Sequence, residues 1–102
     1  MPVSSSVNGS NVTITVTGRF DFSSHKDFRE TYANTDGATC NYIVDMSSTE
    51  YIDSSALGML LLLREFASSD KSRITLKGAS ADVKDILVVS NFDKLFTLEL
   101  CT

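Results

Sequence analysis

A short apolar run, Tyr42-Ile43-Val44, ends in Asp45, and eight residues later Asp53-Ser54-Ser55 leads at once into a long apolar stretch ending at Leu63. That succession reads as a strand, a loop and a helix start, and it limits the folds open to the chain more than any other stretch. The first four N–H groups of a helix lack partners within the helix. Two serines and two carboxylates stand where those groups need acceptors. Such a place caps a helix, binds an anion or carries a phosphate, and these residues alone leave the three roles open.

The rest of the chain sets this stretch in an α/β pattern. Val12, Ile14 and Val16 alternate with Thr13, Thr15 and Thr17, which predicts a strand with one apolar face and one solvated threonine face. A weaker strand over Ser4–Val7 and the turn Asn8-Gly9-Ser10-Asn11 make the two a hairpin. Ser23 and Ser24 are placed to cap a helix running to about Tyr32, with Asp27 in its first turn and His25, Phe28 and Tyr32 on one side. Asn34–Thr39 reads as a polar loop. Tyr42–Val44 reads as a short central strand buried on both faces.

The following helix is expected over about Ser55–Ser68, then a loop over Ser68–Ser72 and a strand through Ile74 and Leu76 that ends at Gly78. Ser80 caps a third helix, with Asp82 in its first turn and Val83, Ile86 and Leu87 at helical spacing, ended by Ser90-Asn91. Phe96, Leu98 and Leu100 alternate into a last strand, and Phe92–Phe96 fits a helical turn as well. The order after the hairpin, helix and strand three times over, predicts one α/β domain across residues 1–102 with parallel crossovers.

Composition removes several function classes. The chain is 42% hydrophobic, enough to bury a core, and carries a net charge of −4. An acidic domain is a poor nucleic-acid binder, because neutralising phosphates supplies most non-specific affinity. Its densest basic stretch, Lys71-Ser72-Arg73, is ordinary turn solubility. The N-terminus, MPVSSSVNGS, lacks the basic and apolar regions of a secretory signal. The longest apolar run, Met59–Leu63, falls far short of the roughly 18 residues of a membrane span. The expectation is a cytoplasmic protein without direct membrane insertion, with Cys40 and Cys101 as reduced, unpaired thiols.

No P-loop, GxGxxG or paired Cys/His metal spacing occurs. His25 is the only histidine, so Ser54 has no evident catalytic activator. Neither a cofactor nor a metal is expected, and the chain does not read as an enzyme. Sites in open α/β sheets form at the carboxyl ends of strands. Asp45 and Asp21 fall at or just past such ends and Asp53-Ser54 heads a helix, so the three carboxylates are expected to converge near Ser54. Placed at 100° per residue, Ala56, Met59, Leu60, Leu63 and Phe66 form one arc facing the sheet. Leu57, Gly58 and Leu61 share the opposite half with Ser54, which marks a candidate partner-binding patch.

These residues carry a family resemblance. Asp45-x-Ser47 followed by Ile52-Asp53-Ser54-Ser55-Ala56-Leu57-Gly58 and Leu60 resembles the STAS domain of bacterial anti-sigma factor antagonists. Thr17-Gly18-Arg19-Phe20-Asp21 is similar to that family's Gly-x-hydrophobic-Asp turn after the second strand, and Leu76-Lys77-Gly78-Ala79-Ser80 with Val83, Leu87 and Phe96 follows its last third. Two positions depart from it. Ala56 stands where Gly is common, and a further C-terminal helix, frequent in the family, is expected to be short or missing.

The resemblance implies a single STAS-like domain, a mixed sheet of four to five strands packed with three to four helices. It further implies an anti-sigma factor antagonist that binds an anti-sigma factor/serine kinase when dephosphorylated and releases it when phosphorylated on Ser54, with Ser55 as the next acceptor. Asp21, Asp45, Ser47 and Asp53 would form the switch loop. A PP2C-type serine phosphatase would reset the serine, and a free switch is expected to be a monomer. Other STAS-like outputs are a diguanylate cyclase or flagellar regulator under the same switch, or a constitutive accessory subunit of a membrane transport complex.

Overall fold

The alternating run at Val12–Val16 is the middle of a longer strand. In a computed structural model that describes residues 3–37, 39–67 and 73–100, β1 (Val3–Asn8) turns through Gly9 and Ser10 into β2 (Asn11–Phe20). The two pair antiparallel, with Val3 opposite Val16 and Val7 opposite Val12, as the turn signal predicts. A 3-10 turn (Phe22–Ser24) then enters α1 (His25–Tyr32), followed by β3 (Asn41–Ile52), α2 (Ser54–Phe66), β4 (Ile74–Ala79) and α3 (Ala81–Val89). A second 3-10 turn (Phe92–Lys94) precedes β5 (Thr97–Leu100). Residues 92–96 therefore hold the helical turn and the last strand starts after it. The loop expected over Ser68–Ser72 and Cys101 lie outside the described residues.

The sheet is five-stranded in the order β1-β2-β3-β4-β5, with β2 through β5 parallel. Every crossover steps the same way across the sheet, and right-handed connections then place α1, α2 and α3 on one face. Side-chain burial agrees with this. Val12, Ile14, Val16, Tyr42, Val44, Ile74 and Leu76 point into the helix layer and are buried. On the open face, Thr13, Thr15, Ile43, Asp45 and Thr75 are half-buried, and Lys77, Thr97 and Glu99 are exposed. The strand at Tyr42–Val44 is central as expected but covered on one face only, because no helix among the described residues returns behind the sheet.

That strand is also far longer than its apolar run suggests. β3 pairs with β4 only from Tyr42 to Asp45, then continues against β2 alone as far as Phe20 opposite Ile52. The register slips between Thr15 and Thr17 and again between Gly18 and Arg19. Thr49, buried near the first slip, donates its hydroxyl to the Val16 carbonyl at 2.7 Å, which satisfies an acceptor in the disturbed ladder. Gly18, with φ +72°, supplies the left-handed backbone at the second. It lies inside a strand, not in the turn that the resemblance implies.

Aromatic rings tie the helices to the sheet. Phe20 of β2 meets Phe28 at 5.1 Å between centroids, Phe28 meets Tyr32 at 5.9 Å, and Tyr32 meets Phe66 of α2 at 5.0 Å. The α2 residues Ala56, Met59, Leu60 and Leu63 are buried, matching the arc read from the sequence, with Phe66 half-buried at its end. Arg73 donates to the carbonyls of Gly37, Cys40 and Ala67, closing the amino end of the sheet, where Cys40 is a buried free thiol.

Candidate functional site

Phe20 and Ile52 are register partners on parallel strands, so Asp21 and Asp53 leave the sheet side by side. Both have extended backbones, at φ −135° and −126°, and each caps the helical turn that begins at the next residue. Asp53 Oδ1 accepts the Ala56 N–H at 3.0 Å. Asp21 Oδ1 accepts the Ser23 N–H at 3.0 Å and the Ser23 hydroxyl at 2.5 Å. Ser24, the residue before α1, makes no side-chain cap bond. The capping expected of Ser23 and Ser24 thus falls to Asp21, through the 3-10 turn.

The same arrangement occurs at α2. Ser54 is its first residue and Asp53 its cap, so of the side chains offered at this helix start the aspartate does the capping. The Ser54 hydroxyl is left without a capping role. Ser54 is exposed, whereas Ser55 is half-buried.

Asp45 does not join this pair. It sits farther back on β3, in register with Thr15 and Lys77, at the point where β4 stops covering the strand. Its carboxylate accepts the Ser47 N–H at 3.0 Å and the Ser47 hydroxyl at 2.7 Å. Gly78 holds this bend from β4. It has φ +75°, and an added Cβ would lie 2.9 Å from Ser47 Cβ. The expected convergence of three carboxylates therefore resolves into an Asp21/Asp53 pair and a separate Asp45-Ser47 bend.

Both engaged carboxylates are acidified. Ser23's hydroxyl, its N–H and the nearby Arg19 hold the Asp21 carboxyl below the ordinary 3.8 against a smaller opposing effect of burial. At Asp45 burial is the largest single influence and pushes upward, but the two Ser47 bonds and the charge of Lys77 together outweigh it, so its carboxyl also lies below 3.8. A depressed carboxylate stabilises the fold above its unfolded pKa, and that contribution is lost as pH falls through the folded value. Stability is therefore expected to drop below about pH 3.8. Asp45→Asn should flatten that acid limb in thermal melts. An unchanged pH slope in the variant would contradict the assignment.

Exposed apolar side chains lie on α2 and on the 3-10 turn that follows Asp21. Phe22 is 72% exposed, Leu62 46% and Leu61 40%. On α2, Ser54, Gly58, Leu61 and Glu65 recur at helical spacing along one exposed stripe. Leu57 is half-buried and packs against the core, so of the two leucines assigned to a partner patch only Leu61 stands clear. Phe22, Tyr51 and Leu62 were not among the site residues expected from sequence. Phe22 comes directly after Asp21, and exposure of a phenylalanine at a turn is the signal that marks it. Gly58 lies in mid-helix with nothing within 4 Å of an added Cβ. Gly58→Ala should raise stability by about 1 kcal/mol, read as an upward shift in melting temperature. An unaltered or lower melting temperature would mean that Gly58 carries a backbone constraint.

Among the described residues no group of three or more His, Cys, Asp or Glu is arranged to hold a metal ion, and no helix is long and apolar enough to cross a membrane.

The architecture defines a two-layer α/β domain whose helix starts gather at the carboxyl ends of a mixed sheet, with an exposed serine at one of them. The chain belongs to the STAS domain family: the family model described as "Mlab, STAS domain" matches residues 3–99. A STAS-domain containing protein of Pseudomonas aeruginosa (strain UCBPP-PA14) is 45% identical over 93 residues, spanning 91% of this chain and 92% of that one. The fold is that of the Bacillus cell fate determinant SpoIIAA, whose phosphorylated form superposes with a TM-score of 0.74 at 18% identity, covering 98% of this chain and 91% of that one. A sulfate transporter family protein from Wolinella succinogenes also shares the fold, with a TM-score of 0.69 at 19% identity over 87% of this chain and 73% of that one.

Proposed function

We infer that the chain is an anti-sigma factor antagonist working by partner switching. Unmodified, it binds an anti-sigma factor that is also a serine kinase, and so frees that factor's client. Phosphorylated on Ser54, it lets go. A PP2C-type phosphatase restores the binding form. The kinase supplies ATP, metal and base, so this chain contributes a substrate serine and needs no cofactor, and the cycle runs in the cytoplasm. The observation that carries this reading is the exposed Ser54 hydroxyl, released from capping by Asp53 and on the same exposed helix stripe as Leu61. Structures of SpoIIAA exist in unphosphorylated and phosphorylated forms, which supports a fold able to carry the modification.

Charge explains how the switch would act. A phosphoserine adds about −1.5 to −2 charges at pH 7. The helix dipole favours negative charge at the start of α2, so the fold tolerates it. An apolar interface closing over the stripe of Ser54, Gly58 and Leu61 would strand that charge without water.

One observation favours a second reading. A sulfate transporter family protein shares the fold, which is compatible with a constitutive accessory subunit of a membrane transport complex. Capture from the chain's own cells with Ser54→Ala and Ser54→Asp baits separates the two. The switch predicts a serine kinase, or an anti-sigma factor regulating a sigma factor, diguanylate cyclase or flagellar output, held by the alanine bait alone. A transporter component held equally by both baits would refute it.

A further inference from the structure

Arg19 is the cation that the register brings to the Asp21/Asp53 end of β2 and β3. Its partner across the ladder is Tyr51. The guanidinium lies over the Tyr51 ring, 4.4 Å from the centroid, and its Nε approaches Asp21 Oδ2 at 3.4 Å. The Asp21 contact sets it at the carboxyl edge, where Asp21 leaves the sheet beside Asp53, the residue before Ser54.

The contact with Asp21 is easily displaced. It is long, and the Arg19 side chain is 68% exposed, the kind of ion pair that contributes little in water. A phosphate is a stronger acceptor, with up to two negative charges and oxygens spaced to take two parallel N–H bonds from a guanidinium. Stacking on Tyr51 keeps that planar fork in place, so few rotamers remain to be frozen.

We propose that Arg19 is the internal receptor for a phosphate on Ser54, its guanidinium passing from Asp21 Oδ2 to the phosphate while it stays on the Tyr51 ring. This rests on the reading of Ser54 as the phosphorylated residue. Asp21 keeps its Oδ1 bonds to Ser23, so the 3-10 turn survives the exchange. Modification then alters two features of the surface together: it charges Ser54 and withdraws the cation beside it from any acidic group of a partner.

Asp53 directly precedes Ser54, and Asp21 with its Arg19 contact leaves the sheet beside Asp53. The carboxylates raise the phosphate's second pKa and Arg19 lowers it, which gives the test a sign. Phosphoserine is placed at position 54 by codon reassignment, so no kinase is needed, and its second ionisation is tracked by phosphorus NMR against pH. The unsubstituted chain should titrate about half a unit or more below its Arg19→Gln variant, and Arg19→Lys should recover part of that shift. Coincident titration curves for the unsubstituted and Arg19→Gln chains overturn the proposal. Because the phosphate is installed directly, this result stands apart from whether cells modify Ser54, so the failure of either idea is seen separately.

Discussion

A chain phosphorylated on Ser54 should bind its kinase partner about 100-fold more weakly than the unmodified chain. Leaving one buried charge unpaired in an interface costs about 2–5 kcal/mol, and each 1.4 kcal/mol is tenfold in affinity. Ser54 lies on the same exposed stripe of α2 as Gly58 and Leu61, so a partner gripping that stripe would meet the phosphate. The fold should be nearly indifferent. At a helix N-terminus an added negative charge is worth about 0.3–1 kcal/mol in favour of folding, and Asp53 goes on capping α2. Calorimetric titration and thermal melts of both forms check the two halves together. Equal affinities would contradict the switch. A lost affinity accompanied by a collapsed melting temperature would make the phosphate a destabiliser instead.

Gly78→Ala should destabilise the domain by about 2–4 kcal/mol. The left-handed backbone at φ +75° costs a non-glycine residue about 1–2 kcal/mol. The new Cβ would also press to 2.9 Å from Ser47 Cβ and 3.3 Å from Ser47 Cα, and overpacking of this kind costs about 1–3 kcal/mol. For a domain of this size the loss corresponds to a fall in melting temperature of about 10–20 °C. The strain lands on the residue that donates to Asp45, so the acid stability attributed to Asp45 should shrink in the same variant. A melting temperature within about 2 °C of the parent would mean that the β3 bend yields freely, contrary to the packing described.

The parts of the fold legible in the sequence are those where one physical signal acts alone. Val12, Ile14 and Val16 alternate because β2 has one covered face. Ser80 announces α3 because its hydroxyl accepts the Val83 N–H, and Asn91 ends that helix with φ 62°, a conformation asparagine tolerates. The far half of β3 was hidden. Its buried residues Met46, Thr49 and Ile52 fall three apart, since two slips in register against β2 break the alternation that identifies a strand. With the strand read too short, Asp45 was drawn toward Ser54, although eight residues of chain lead from Asp45 to Asp53.

The candidate site divides along the same line. The motif itself located the Asp53-Ser54 helix start, but composition could not choose between aspartate and serine as the cap. Either side chain accepts an N–H, and the choice depends on which residue is extended just before the first turn. Asp53 is, and this leaves Ser54 available. Arg19 and Tyr51 escaped notice as a pair because their association depends on the register of two distant strands, which no local pattern encodes. Leu57 and Leu61 share a helix face on paper, but the core reaches Leu57 alone.

A reversible phosphate on Ser54 is checked by intact-mass analysis with peptide mapping of the protein isolated from its own cells, with and without phosphatase treatment. The expected result is a phosphatase-sensitive phosphate on the peptide containing Asp53-Ser54-Ser55, localised to Ser54, in part of the population. A chain free of phosphate under every growth condition, or one modified only elsewhere, would contradict it and leave Ser54 as an exposed helix-start residue in a constitutive binding domain.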